Sequence, residues 1–183
     1  MENGQQRKLR RDQLLAARAG LPDRPERERA LRRHVAEWLA RAEVRAVAFF
    51  WPIRGEPDLR AVMADWLIED ERRVAALPVV SGDALVFHAW VADAPMQAAD
   101  FGIPVPARGR LVQPDCLLVP CVGFDTRRYR LGYGGGYYDR TLAQTVPWPL
   151  AVGIAFEIGR VDSIEPQAHD MALDAVITDA AIY

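Results

Sequence analysis

The spacing of apolar positions changes period several times along the chain, and this predicts alternating helices and strands. Apolar residues at helical spacing predict amphipathic helices over 7–20, 26–41 and 58–71. Short apolar or β-branched runs predict strands over 44–51, 73–80, 84–91, 116–122, 150–156 and 175–178. Residues 92–114 are rich in Pro and Gly without a clear period, which predicts a long surface loop.

This alternation of strands and helices is typical of an α/β fold with a mostly parallel sheet. The nearly uninterrupted apolar run 116–122 is typical of a central strand that is buried on both faces. We therefore expect a three-layer α/β/α domain with an open, Rossmann-like sheet. The length of 183 residues fits one domain over 1–183, with N-terminal helices at 7–41 packed on an α/β body.

Composition narrows the class of protein. The chain is 50% hydrophobic, which is too apolar for a disordered protein, yet no apolar run approaches the roughly 20 residues of a membrane helix. The charged N-terminus has no apolar segment behind it, so we expect no secretory signal and a cytoplasmic location. Cys116 and Cys121 are then expected to be buried free thiols.

Charge is distributed unevenly. Residues 1–45 contain 12 Lys and Arg against 7 Asp and Glu, whereas the remainder contains 11 against 18. All the basic residues are Arg except Lys8. A net charge of −2 gives no reason to expect bulk polyanion binding, but the basic segment could serve a nucleic acid or the phosphates of a small ligand.

The most informative segment is a glycine-rich loop, Gly132–Gly136, between the buried strand and a helix predicted to begin near Tyr137. Open α/β sheets bind ligands at the carboxyl ends of their strands, and helix N-termini attract phosphate. The loop is neither a Walker A sequence nor the usual dinucleotide fingerprint. From these residues alone, a phosphate loop and a flexible turn remain equally good interpretations.

A longer stretch adds a resemblance. The sequence GFDTRRYRLGYGGGYYD at 123–139 resembles the signature of the 5-formyltetrahydrofolate cyclo-ligase family. The segments PIRGEPDL at 52–59, FGIP at 101–104 and HDMALDAVIT at 169–178 match the same family in the same order. The resemblance implies ATP-dependent closure of 5-formyltetrahydrofolate to 5,10-methenyltetrahydrofolate, through transfer of the γ-phosphoryl group to the formyl oxygen.

The resemblance also implies roles for individual residues. Arg130 and Tyr137 would be catalytic, Asp139 and Asp170 would hold Mg²⁺, and Asp174 is an open case between metal binding and capping of the nearby turn. The residues implied in ATP binding are Arg7, Lys8, Arg11, Arg130, Leu131, Gly132, Tyr133, Gly134, Gly135, Gly136, Tyr137 and Tyr138. The residues implied in folate binding are Glu56, Phe101, Gly134, Gly135, Gly136, Tyr137 and Tyr138. For Phe101, packing in the core is the favoured alternative.

Two features depart from the family pattern or leave it open. Some members have Lys where this chain has Gly135, so the missing positive charge would have to come from Arg127, Arg128, Arg130 or the N-terminal helix. The family's basic N-terminal pair fits Arg7 with Arg11, or a register shifted by one that uses Lys8.

Two other functions compete with this interpretation. One is an enzyme of the same architecture that acts on another phosphorylated substrate, because fold does not fix function. The other is a nucleic-acid-binding module, although acidic residues dilute the basic segment. We expect a monomer that binds ATP and a reduced folate and binds neither nucleic acid nor membrane.

Overall fold

The structure is a computed structural model that describes residues 2–183 and has the mixed α/β architecture predicted from the sequence. The helices are α1 (Glu2–Ala19), α2 (Arg24–Arg41), α3 (Arg60–Ile68) and α4 (Tyr137–Gln144). The central sheet contains β1 (Ala46–Ala48), β2 (Val74–Ser81), β3 (Ala84–Trp90), β6 (Leu111–Val112), β7 (Cys116–Pro120), β10 (Leu150–Ile154) and β12 (Ala175–Ile177). The remaining strands are β4 (Met96–Ala98), β5 (Pro104–Pro106), β8 (Gly123–Asp125), β9 (Arg130–Leu131) and β11 (Arg160–Val161).

The seven strands of the central sheet lie in the order β12-β10-β7-β1-β2-β3-β6. The pairs from β12 to β2 are parallel, and β3 runs antiparallel to both of its neighbours. The sheet grows from β1 towards β2 on one side and towards β7 on the other. The strand order therefore reverses between β1 and β7, where open α/β sheets bind ligands.

Successive side chains of each central strand face opposite sides of the sheet, and each side has its own hydrophobic core. Val47 packs in a core that includes the buried residues of α2 and α3, whereas Ala48 belongs to a second core with Leu142 of α4. In β7, Leu118 lies in the core with α2 and α3, and Val119 lies in the core with α4. The sheet is thus the middle layer of three.

The prediction that residues 92–114 form a loop without regular structure is wrong, because the segment contains three short strands. Strands β4 and β5 form an antiparallel ribbon, and β6 pairs with β3 at the edge of the central sheet. These strands have only two or three residues, and β5 contains Pro104 and Pro106, so no alternating pattern marks them in the sequence. Such a proline is tolerated because these strands lie at an edge.

Several element boundaries also differ from the predicted ones. The strand predicted over 44–51 is limited to Ala46–Ala48, because Pro52 lacks a backbone donor and the chain turns at Arg54 and Gly55, both with positive φ. The strand predicted over 116–122 ends at Pro120, after which the chain enters a separate sheet of order β11-β8-β9.

Helix α1 crosses the carboxyl-terminal side of the sheet and packs on the turn Glu157–Gly159. Its Arg10 side chain donates a hydrogen bond to the carbonyl oxygen of Ser163 and contacts Glu165. None of the helices in residues 2–183 is long and apolar enough to span a membrane. Cys116 and Cys121 are both free and buried, as predicted, and burial raises the pKa of the Cys121 thiol to about 12.

Gly123 provides a test of this packing. A Cβ at this position would lie 2.5 Å from Cδ1 of Leu14 in α1 and 2.9 Å from the carbonyl oxygen of Gly159. We expect Gly123→Ala to lower the free energy of unfolding by about 1–3 kcal/mol, because the Gly159 backbone cannot move aside as a side chain can. For a chain of this size the thermal midpoint would fall by roughly 2–4 °C per kcal/mol.

Gly4→Ala is the matched control, because a Cβ there has nothing within 4 Å and lies in α1. It should leave the midpoint unchanged or raise it, since Ala favours helix over Gly. Equal midpoints for Gly123→Ala and the wild type would contradict the close approach of α1 and the Glu157–Gly159 turn.

Candidate functional site

A cavity of about 690 Å³ opens at the carboxyl edge of the central sheet. Its floor includes Phe50 and Trp51 after β1, Pro78 near the end of β2, and Pro120 at the end of β7. The cavity thus spans the point where the strand order reverses, and its volume is within the range of small-molecule sites. Helix α1, the glycine-rich loop and the turn Asp100–Gly102 form its walls.

The glycine-rich loop Gly132–Gly136 enters the cavity between β9 and α4. Gly134 and Gly136 have φ of 97° and 68°, in the left-handed region that favours glycine. Helix α4 begins directly afterwards at Tyr137, as predicted, so unpaired backbone N–H groups of its first turn lie beside the loop. Arg140 of α4 fixes the loop by donating from Nη2 to the Gly135 carbonyl oxygen at 2.8 Å.

Arginines of α1 supply positive charge to the loop. Arg7 and Arg11 both line the cavity, and Nε of Arg11 donates to the carbonyl oxygen of Gly132 at 2.6 Å. Burial and the neighbouring charge of Arg7 lower the pKa of Arg11. The structure does not bring Lys8 to the cavity: its side chain is 75% exposed and its ammonium contacts Asp12 outside it. The structure therefore favours the register that uses Arg7 with Arg11.

Two ion pairs connect the predicted phosphate ligands to the predicted metal ligands. Nη2 of Arg130 lies 2.8 Å from Oδ2 of Asp139, and the side chains are only 6% and 13% exposed. Arg7 donates to both carboxylate oxygens of Asp170, at 2.7 and 3.3 Å. Each acidic side chain in this part of the cavity is thus neutralised by an arginine.

The carboxylates of Asp139 and Asp170 fit a magnesium site that is completed by ligand phosphates and water. Among the side chains that the structure describes, those of residues 4–183, no three His, Cys, Asp or Glu cluster closely enough to hold a metal by themselves. Mg²⁺ is commonly held by one or two carboxylates together with substrate phosphates and water, and both carboxylates line the same cavity. The donor set therefore fits Mg²⁺ that arrives with a phosphate ligand and does not form a complete protein cage.

Glu56 also lines the cavity, and it is only 5% exposed. Its Oε2 accepts a hydrogen bond from the Ile53 N–H at 2.9 Å, and its Oε1 accepts one from the Tyr133 hydroxyl at 2.8 Å. Burial raises the pKa of Glu56, while these two hydrogen bonds and the charges of Arg18 and Arg54 oppose the increase.

Aromatic side chains also line the cavity. Phe101 is 77% exposed and has a φ of 58°, so the alternative that it packs in the core is wrong. Its ring centre lies 6.3 Å from that of Tyr137, in an edge-on arrangement. Tyr138 lies under the Arg130 guanidinium at 5.5 Å, and burial raises the pKa of its hydroxyl. These rings provide flat apolar surface inside a charged cavity.

The structure brings most of the sequence-predicted site residues to this cavity. The predicted residues that line it are Arg7, Arg11, Glu56, Phe101, Arg130, Gly132, Tyr133, Gly134, Gly135, Gly136, Tyr137, Tyr138, Asp139 and Asp170. Leu131 is fully buried in β9 and does not line it, and Asp174 accepts a hydrogen bond from the Ala151 N–H instead. Arg127 and Arg128, considered as replacements for the missing lysine, contact Asp125 and the Leu173 carbonyl outside the cavity.

Several residues at the site are not predicted from the sequence, among them Trp51, Arg54 and Arg18. Trp51 and Arg54 line the cavity, and Arg18 lies behind it, 3% exposed, with Nη2 2.5 Å from the Tyr133 hydroxyl oxygen. Arg18 carries a signal that could have been found. Arg7, Arg11 and Arg18 fall within about 40° of one another on a helix of 3.6 residues per turn, so they share one face of α1.

Comparisons with known proteins identify the family that the chain resembles. The sequence model of the 5-formyltetrahydrofolate cyclo-ligase family matches residues 2–179. A 5-formyltetrahydrofolate cyclo-ligase of Mycolicibacterium smegmatis is 31% identical over 184 residues, covering 92% of this chain and 91% of the relative. The Haemophilus influenzae protein of the same description is 27% identical over 183 residues, covering 93% and 96%.

Solved structures agree with the sequence comparison. The NMR structure of Aquifex aeolicus 5,10-methenyltetrahydrofolate synthetase superposes with a TM-score of 0.79 at 30% identity, covering 96% of this chain and 91% of that one. The 5,10-methenyltetrahydrofolate synthetase of Mycoplasma pneumoniae has a TM-score of 0.78 at 24% identity, which supports the fold.

Proposed function

The chain belongs to the 5-formyltetrahydrofolate cyclo-ligase family, and we propose that it closes 5-formyltetrahydrofolate to 5,10-methenyltetrahydrofolate with ATP in the cavity beside the glycine-rich loop. Membership implies the use of ATP and of a folate substrate. One observation supports placing the reaction in this cavity. The same cavity is lined by the glycine-rich loop with its arginines, by the buried Glu56 carboxylate and by several aromatic rings.

The phosphate end suits a triphosphate. The Gly134–Gly136 backbone, the first turn of α4 and the guanidinium groups of Arg11 and Arg130 provide donors and positive charge. Arg7, Arg11 and Arg130 then supply the positive charge that Lys in place of Gly135 provides in some members. Phosphoryl transfer depends mainly on positioning and charge neutralisation, so the site needs no protein nucleophile.

The folate end suits a pterin ring. The Glu56 carboxylate has acceptor capacity beyond its two protein hydrogen bonds, which matches the paired N–H and amino donors of the ring. Phe101 and Tyr137 offer flat surfaces on which the ring can stack. We propose that a ring bound here has its formyl group on the side of the glycine-rich loop.

The proposed reaction has two steps, phosphoryl transfer to the substrate and then ring closure. The formyl oxygen attacks the γ-phosphorus and ADP leaves; N10 then attacks the formyl carbon, loses its proton, and phosphate leaves with the former formyl oxygen. Arg130 and Arg11 stabilise the transferring phosphoryl group, because they are fixed before the charge develops. Mg²⁺, when bound to Asp139 and Asp170, would neutralise phosphate charge. Arg130 and Arg7 would then exchange their carboxylate partners for phosphate oxygens.

An isotope experiment tests this route. Substrate with ¹⁸O in the formyl group is incubated with the purified protein and Mg-ATP, and phosphate is analysed by mass spectrometry. The proposal predicts one ¹⁸O in each phosphate released. Unlabelled phosphate, with the label in water, would refute transfer to the formyl oxygen while leaving the net cyclisation to be judged by product formation.

Glu56→Gln tests the folate end. The amide presents a donor where the carboxylate presents an acceptor, so we expect KM for 5-formyltetrahydrofolate to rise at least about tenfold with little change in KM for ATP. Steady-state kinetics with each substrate varied in turn makes the measurement. Glu28→Gln on α2 is the control, because Glu28 pairs with Arg24 and does not line the cavity. An unchanged folate KM in Glu56→Gln would contradict the pterin contact.

The remaining expectations belong to the same proposal. Because α1 directs Arg7, Arg11 and Arg18 towards the cavity, its basic face is used inside the protein, which argues against the nucleic-acid-binding alternative. We also propose that the chain acts as a monomer in the cytoplasm.

A further inference from the structure

Arg18 is buried behind the cavity and takes no direct part in the proposed reaction. We propose that Arg18 is a positioning residue that acts through the Tyr133 hydroxyl to hold Glu56 as an oriented carboxylate for the substrate ring. This inference rests on the proposed function and deepens it. Arg18 does not line the cavity, so its effect on the substrate must pass through other side chains.

The direction of the hydrogen bonds is fixed by chemistry. Arginine can only donate and an ionised carboxylate can only accept. The Tyr133 hydroxyl therefore accepts from Nη2 of Arg18 and sends its own hydrogen to Oε1 of Glu56, 2.8 Å away. With the Ile53 N–H on Oε2, both carboxylate oxygens are fixed, and their remaining lone pairs are available to the ligand.

The burial of Arg18 is poorly explained by stability alone. The side chain is 3% exposed, and its Nε finds no hydrogen-bond partner within residues 2–183. A buried charge with unmade hydrogen bonds is costly, and apolar residues of similar size often replace buried ion networks without loss of stability. A function for the charge explains why arginine occupies this position.

The positive charge of Arg18 acts on the Glu56 carboxylate and favours its ionised form. The titratable groups that act on Glu56 or are acted on by it are Arg18 of α1, Arg54 of its own loop, Tyr133 of the glycine-rich loop, Tyr138 of α4 and Cys121 after β7. Arg18 and Arg54 are the cations among them, and Arg54 is exposed to solvent. Solvent screens an exposed charge more than a buried one, so Arg18 has the larger influence on Glu56.

The test compares Arg18→Met, Arg18→Lys and Tyr133→Phe with the wild type between pH 6 and pH 8. Loss of the buried cation raises the pKa of Glu56, so more of it is protonated as pH falls. We expect Arg18→Met to raise KM for 5-formyltetrahydrofolate about tenfold or more, with a larger increase at pH 6 than at pH 8 and little change in kcat. Tyr133→Phe should behave similarly, and Arg18→Lys should recover part of the loss.

Arg10→Met is the matched control, because Arg10 lies on the same helix and contacts Ser163 and Glu165 outside the cavity. In a Glu56→Gln background, Arg18→Met should raise the folate KM no further. A folate KM that stays at the wild-type value at both pH values in Arg18→Met, or in Arg18→Lys and Tyr133→Phe if Arg18→Met fails to fold, would overturn the inference alone. Absence of turnover by the folded wild type would overturn the proposed function.

Discussion

Asp139→Asn is expected to lower kcat roughly 100-fold while the protein remains folded. Asp139 lies in the first turn of α4, directly after the glycine-rich loop, and pairs with the buried Arg130 at 2.8 Å. The asparagine keeps the size of the side chain and one acceptor oxygen but removes the charge. It therefore weakens both the proposed metal ligation and the alignment of Arg130 on the phosphates. Steady-state turnover with saturating Mg-ATP and 5-formyltetrahydrofolate makes the measurement.

Asp174→Asn is the matched control. Asp174 is another aspartate close to Asp170 in the sequence, but its carboxylate accepts a hydrogen bond from the Ala151 N–H and does not line the cavity. Its kcat should remain near that of the wild type. Circular dichroism and thermal unfolding establish that both variants fold. A folded Asp139→Asn variant with wild-type kcat would reject the role of Asp139.

Arg130→Met is expected to lower kcat/KM for ATP roughly 100-fold, with a much smaller effect on folate binding. The Arg130 side chain is 6% exposed, its Nε finds no partner within residues 2–183, and its guanidinium lies over Tyr138 inside the cavity. Arg130 lines the cavity, and a guanidinium has five N–H donors, so those that Asp139 does not occupy can donate to an incoming phosphate oxygen.

Two further variants separate charge from folding in this experiment. Arg130→Lys keeps the charge but loses the planar fork, so it should recover only part of the activity. Arg127→Met removes the same charge three residues earlier, where the side chain is 60% exposed beside Asp125, and should behave as the wild type. If Arg127→Met and Arg130→Met lowered kcat/KM for ATP equally, the placement of ATP at this loop would be wrong.

Several features could be predicted because they depend on local sequence. The apolar run of β7, the glycines of the loop and the start of α4 at Tyr137 each leave a local pattern, and the structure has all three. The helical period also places Arg7 and Arg11 on one face, and the same period extends to Arg18. The family pattern alone does not fix the register of the helix, so it leaves Lys8 as an alternative.

Other features depend on contacts between distant segments and leave no local pattern. The strands β8, β9 and β11 have two or three residues each and exist because they pair with one another. The pairing of Arg7 with Asp170 joins residues 163 positions apart. The exposure of Phe101 likewise follows from a turn with positive φ, whereas its apolar side chain suggested the core.

The ion pairs at the cavity explain how the chain can work with Gly135 in place of a loop lysine. Arg7 and Arg130 are held by Asp170 and Asp139 at the edge of the phosphate site, so the positive charge is present but neutralised. Binding of Mg²⁺ with ATP would let these carboxylates and arginines exchange partners without leaving a buried charge unpaired. We therefore expect the site to bind the metal–nucleotide complex in preference to either component alone.

We propose that this chain cyclises 5-formyltetrahydrofolate at the expense of ATP. The most direct measurement mixes purified protein with 5-formyltetrahydrofolate and Mg-ATP and follows the near-ultraviolet absorbance of the methenyl product. We expect an increase that requires the protein, ATP and the formyl substrate together, with one ADP formed per product. Folded protein that gives no ATP-dependent increase in absorbance would contradict it.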